Sequence, residues 1–94
     1  MSYTPAAIVE LIKAHHTDDP YDGDSIVYFK SGTNLEPVKN LLLQDSWFAK
    51  YWKCEEIVNG FVFTDQDESG CFLTSSKEYF ESMPDWVGLK IQTY

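Results

Sequence analysis

Ninety-four residues leave room for one domain and one hydrophobic core, since a chain of this size buries only about 60 to 65% of the surface it exposes when unfolded. Fifteen Asp and Glu against seven Lys give a net charge of −8 and an isoelectric point near 4.4, and Arg is absent. That balance excludes direct binding to bare nucleic acid or anionic membranes, while 44% apolar and 16% aromatic residues exclude an intrinsically disordered chain.

In chain order, Met1-Ser2-Tyr3 carries no basic segment leading into an apolar one, and no apolar run approaches the length of a membrane span. The expectation is a cytoplasmic protein. Thr4-Pro5 reads as a helix start, with a hydroxyl to cap and a proline in the first turn. Ile8, Leu11 and Ile12, with Val9 beside them, predict one apolar stripe on a helix ending near His15. Residues 17–24, with Asp18, Asp19, Asp22 and Asp24 around Pro20, Tyr21 and Gly23, predict an exposed acidic loop.

Ser25 to Lys30 is β-branched and aromatic and predicts a strand, closed by a turn at residues 31–34, with Asn34 free to cap the next helix. Leu35, Val38, Leu41 and Leu42, widened by Leu43, supply that helix with an apolar face. Asp45-Ser46 offers a second cap before Trp47-Phe48-Ala49-Lys50-Tyr51-Trp52, so one long helix or two abutting ones are expected. Four aromatics in six residues exceed what one short stripe hides, which leaves Trp47 or Trp52 partly accessible.

Asn59-Gly60 between β-rich runs predicts a two-residue hairpin in which Val58 pairs with Phe61 and Glu56 with Phe63. One face then carries Cys54, Glu56, Val58, Phe61 and Phe63, the other Ile57 and Val62. After a turn at Asp65-Gln66-Asp67-Glu68-Ser69-Gly70, Cys71 to Thr74 returns as the third strand of a meander. Ser75 with Glu78 has capping-box spacing for a helix that turns Tyr79 and Phe80 inward. Pro84 limits that helix before Trp86, and Leu89 to Thr93 reads as a last strand. Residues 1–94 thus form a single α+β domain, helices packed on one face of a mostly antiparallel sheet, in the order α-β-α-(α)-β-β-β-α-β.

Four groups invite a chemical reading. Asp65, Asp67, Ser69 and Gly70 have the spacing of the first half of an EF-hand calcium loop, but its twelfth position, which needs a bidentate Glu, holds Ser76, and a strand precedes it. A β-turn explains the same residues, and no metal site is expected. His15 and His16 are adjacent, so their side chains diverge by about 100° and do not chelate together. Cys54 and Cys71 fit neither a disulfide framework nor zinc spacing, and each falls in a strand, as a reduced apolar residue would. Glu56 alone is placed to be a half-buried acid. No Gly-rich phosphate loop or nucleophile elbow occurs, so neither a catalytic residue nor a cofactor is expected.

The collective feature is a set of carboxylates interleaved with aromatics: Asp18, Asp19, Asp22, Asp24, Glu55, Glu56, Asp65, Asp67 and Glu68, with Tyr21, Trp47 and Trp52 as anchors. Fixed negative charge speeds encounter with a basic protein, and rings supply the contacts that hold it. The expectation is therefore a non-catalytic domain occupying a basic site on a partner, such as a nuclease or another nucleic-acid-binding protein. Immunity proteins and phage-type inhibitors share this size and charge, and in that reading the chain serves as a nucleic-acid mimic. The alternatives are a small-ligand or cation-binding module using residues 65–70, and a structural subunit.

Overall fold

The structure, a computed structural model, describes residues 3–18, 23–66, 69–84 and 87–93, with Asp18 described by its backbone only. The Thr4 hydroxyl accepts a hydrogen bond from the Ala7 N–H at 3.1 Å, and Pro5 opens helix α1 (Pro5–Asp18). The helix overruns its expected end and takes Thr17 and Asp18 out of the acidic loop. His16 explains this: it follows Ile8 and Ile12 at four-residue intervals, and all three are buried. The docked stripe thus continues through His16, and the helix with it. Val9 is buried beside it, whereas Leu11, expected in the stripe, faces solvent.

Strand β1 (Ser25–Tyr28) follows, then helices α2 (Glu36–Gln44) and α3 (Ser46–Tyr51). The N-cap of α2 is Leu35, which makes no side-chain cap bond, and Asn34, one residue earlier than a cap, instead accepts from the Glu36 N–H at 3.0 Å. Of the predicted apolar face, Leu35, Val38 and Leu42 are buried, while Leu41 and Leu43 are exposed. The two helices abut at Asp45, whose carboxylate accepts from the Trp47 and Phe48 N–H groups at 3.0 and 3.2 Å. Lys13 meets the same carboxylate at 2.7 Å, tying α1 to this junction and holding the acid below its usual range.

The remaining elements are β2 (Trp52–Ile57), β3 (Gly60–Asp65), β4 (Gly70–Thr74), α4 (Lys77–Ser82) and β5 (Leu89–Gln92), and the five strands make one sheet in the order β2-β3-β4-β1-β5. β2, β3 and β4 form the predicted antiparallel meander, while β1 runs parallel to β4 on one side and to β5 on the other. The fold is the expected small α+β domain. Val27, Phe29, Phe63, Cys71, Leu73 and Ile91 share the main core with α1, α2 and α3. α4 is the exception to one-sided packing: Phe80 stacks on Tyr28 at 5.3 Å and Tyr79 meets Phe72 at 6.0 Å, both on the opposite face. Central β1 is buried at all four positions, so its second apolar face also requires a cover.

The hairpin register differs from the predicted one. Ile57 pairs with Gly60, Glu56 with Phe61 and Cys54 with Phe63, so the turn is Val58-Asn59 and not Asn59-Gly60. Asn59 takes the left-handed conformation, φ 63°, and Gly60 enters the strand because a Cβ there would lie 1.8 Å from the Leu73 carbonyl oxygen. The slip preserves parity, so Cys54, Glu56, Phe61 and Phe63 still share a face. Val58 leaves it for the tip, 86% exposed. The cap of α4 is Ser76, one residue after the predicted Ser75, and Ser76 accepts from the Tyr79 N–H at 3.2 Å.

Candidate functional site

β1, β2, β4 and β5 begin, and β3 finishes, at one end of the sheet. Two carboxylates organise that end. Asp24 accepts from the Gly70 N–H at 2.9 Å, and its carbonyl accepts from the Leu89 N–H, joining the starts of three strands. Asp65 accepts from the Ser69 N–H at 2.9 Å and, through its own N–H, donates to the Ser69 carbonyl at 3.2 Å. That is turn chemistry at the residue that suggested a calcium loop, and no cluster of three or more metal-ligating side chains occurs among the described residues.

The aromatic cluster stands beside these acids. Asp45, by capping α3, points its ring-rich turn at β2, where Trp52 pairs with Asp65. The Trp47 ring lies 6.1 Å from Trp52 and 6.0 Å from Tyr51, and Phe48 lies 5.0 Å from Trp52. Trp52 is buried, opening β2 instead of closing a helix, so the rings presented to solvent are the half-buried Trp47 and the exposed Tyr51. An open cleft of about 590 Å³ runs past Tyr51, Trp52, Asp65 and Gln66 and is also lined by Lys50 and Lys53. Tyr51 was legible only as one of four crowded aromatics.

The structure therefore gathers Asp24, Asp65, Trp47 and Trp52. Glu55 and Glu56 lie elsewhere, three and four residues along β2 toward the hairpin and on opposite faces of the strand, roughly 10 to 13 Å from Trp52. Both are exposed, which corrects the expectation of a half-buried Glu56: β2 is an edge strand, and Glu56 lies near its hairpin end, where its partner Phe61 takes the Lys39 ammonium of α2 over its ring. Asp19, Tyr21, Asp22, Asp67, Glu68 and Trp86, and the side chain of Asp18, lie outside the described residues.

A buried polar chain runs beneath this end, and sequence spacing gave no sign of it. His16 Nε2 is 2.8 Å from the Ser25 hydroxyl, which also hydrogen-bonds the Cys71 thiol. A histidine, a hydroxyl and a thiol in line suggest covalent catalysis, but Ser25 and Cys71 are fully buried. Burial pushes the thiol up to about 12, which leaves it protonated and a poor nucleophile at neutral pH. His15, one position earlier, bonds the Gly23 carbonyl at 2.9 Å, so the two histidines pin the start of β1 separately.

Burial, followed by the neighbouring His15, lowers His16 to about 4 against an unperturbed 6.5, and Asp65 offsets this only in part. His16 is therefore neutral in the folded chain and takes up its proton first in the unfolded one. Stability is fully present above pH 6.5, falls as pH drops from 6.5 toward 4, and loses nothing more through this group below that. With allowance for solvent at the ring edge, the loss is about 2 kcal/mol. Urea denaturation at stepped pH is expected to show this slope, and His16→Gln, which keeps a neutral hydrogen-bonding group, to flatten it. An unchanged slope in the variant would place the pH dependence elsewhere.

A scan against protein-family models, a search of curated proteins and a search of solved structures found no match to this chain.

Proposed function

We propose that this chain is a non-catalytic binding domain that sets an acidic, aromatic end of its sheet against a basic site on another protein, the phosphate-binding groove of a nuclease or similar enzyme being the surface such charge fits best. The observation that supports it is convergence. Asp24, which ends the first acidic loop, accepts from the N–H of Gly70, which follows the second, while Asp65 and Ser69 close that second loop on themselves at the same end of the sheet, where Asp65 lines a cleft with Trp47 and Tyr51. Segments 17–24 and 65–68 together hold seven of the chain's fifteen carboxylates. Seven carboxylates in the two loops outnumber Lys50 and Lys53 of the adjoining cleft, and such an excess beside rigid rings steers a basic protein and then holds it.

The test is capture from lysate followed by elution in a salt gradient. A basic protein is expected to leave at moderate salt. Replacing Asp18, Asp19, Asp22 and Asp67 by Asn is expected to weaken the complex and flatten its salt dependence, whereas neutralising Glu78 and Glu81 on α4 leaves it intact. The same loss per charge removed in both sets would reduce the effect to net charge, and unchanged affinity would remove the acidic end from the interface. No specific observation favours the cation-binding reading, because Asp65 already serves its own turn.

A further inference from the structure

Among the described residues β2 closes one side of the sheet and pairs only with β3. The phase of its unpaired backbone groups follows from its neighbours. Asp65 donates its N–H toward the β4 side and Asn59 accepts there from Ser75, so odd positions of β3 face β4. Gly60, Val62 and Thr64 therefore face β2, where they meet Ile57, Glu55 and Lys53. Backbone groups alternate along a strand, which leaves Cys54 and Glu56 with N–H and C=O, and Trp52 with its C=O, directed away from the sheet, the Trp52 N–H being held by the Phe48 carbonyl at the end of α3. A strand edge of this kind is a template for another strand.

We propose that the second strand is β2 of another copy of this chain, antiparallel, with Cys54 opposite Cys54 on a two-fold axis and Trp52 opposite Glu56. The argument is the charge sequence on the edge. In this register Lys53 stands opposite Glu55 of the second copy, and the reverse pair repeats across the axis. Both are non-hydrogen-bonded positions, where facing Cα atoms are about 4.5 Å apart and side chains come closest. Lys53 and Glu55 are exposed and on one face of β2, free to meet. Sliding by one step of the same phase sets Lys53 against Lys53 or Glu55 against Glu55, and like charges directly opposite are destabilising. The edge is self-complementary in one register, and the product is a continuous ten-stranded sheet. This edge shares Trp52 and Lys53 with the cleft at the acidic end, so Glu55→Lys, which lies outside that cleft, is the variant whose effect separates self-association from the proposed function.

Sedimentation velocity over a concentration series at physiological salt, which screens the net charge of −8 on each copy, is the test. Wild type is expected to pass from monomer to dimer. Lys53→Glu and Glu55→Lys each create two like-charged pairs and are expected to weaken self-association roughly tenfold or more. Mixed in equal amounts the two variants are expected to recover the dimer, since every Glu of one then faces a Lys of the other. A wild type that stays monomeric at near-millimolar concentration, or variants that dimerise as well as it does, would overturn the proposal. Residue-resolved amide exchange fixes the register independently: protection should rise with concentration at Cys54 and Glu56 and stay constant at Lys53 and Glu55, and at Trp52, whose N–H is already bonded to Phe48. Protection gained along β5 instead would move the contact to the other edge and refute the assignment.

Discussion

Phe48→Ala is expected to lower the stability of the domain by about 4 kcal/mol, the largest loss at any single site considered. Phe48 is 1% exposed and stands where four elements meet. Its ring lies 5.0 Å from Trp52 on β2, 6.2 Å from Phe63 on β3, 5.1 Å from Trp47 on its own helix and 6.5 Å from His16 on α1. Truncation removes the transfer free energy of a buried aromatic and leaves a void lined by rigid rings, which relax into it poorly. Urea denaturation should show a lower midpoint at an unchanged slope. Tyr51→Ala, three residues away and 47% exposed, is the control and should change stability by no more than about 0.5 kcal/mol. Comparable small losses at both positions would mean that the aromatic cluster is not packed as described. Because Phe48 supports both tryptophans from behind, its loss should also disturb partner binding at the acidic end, an effect Tyr51→Ala can produce only by direct contact.

Gly60→Ala is the second large effect, about 3 kcal/mol, with a different origin. A Cβ at Gly60 would stand 1.8 Å from the Leu73 carbonyl oxygen, 2.9 Å from the Leu73 carbonyl carbon and 3.1 Å from the Thr74 Cα. All three are backbone atoms, so no side chain can swing aside, and β3 and β4 must separate where the meander closes. Gly32→Ala is the informative comparison. It meets nothing within 4 Å but holds φ at 89°, so its cost of about 1 kcal/mol is conformational strain alone. Thermal denaturation of both variants ranks them directly, and a Gly60→Ala protein as stable as Gly32→Ala would contradict the close strand approach. Slippage back to the Asn59-Gly60 turn would appear as altered pairing of Glu56, from Phe61 to Phe63.

The order of elements was legible because each carries a local signal: the Thr4-Pro5 start, the Asp45 cap, and β-rich runs set off by turn residues. What escaped were features decided across the fold. The hairpin register followed the third strand and not the preferred turn pair, since Leu73 leaves no room for a side chain at Gly60. α1 continued past His15 because a histidine can serve as a buried residue once Ser25, distant in sequence, satisfies its ring. The cover of α4 over the second face of β1 required knowing that β1 is central, which its four residues do not encode. Of the site, the acids and rings were visible in the chain, but their division was not. Only pairing shows that Asp24 and Asp65 belong to one end while Glu55 and Glu56 belong to an edge.

The placement of β1 also determines in what order the sheet can assemble. β1 comes first in sequence, yet it is inserted between two strands that come later: Ser25 pairs with Cys71 on one side and with Leu89 on the other. The β2-β3-β4 meander closes over short loops and can form early, whereas both β1 ladders must wait for distant segments to be brought together, with the entropy loss that long loop closure entails. Contact order alone therefore puts the meander ahead of both β1 ladders, and β5, whose strand partner in the described sheet is β1, cannot join the sheet before β1 does.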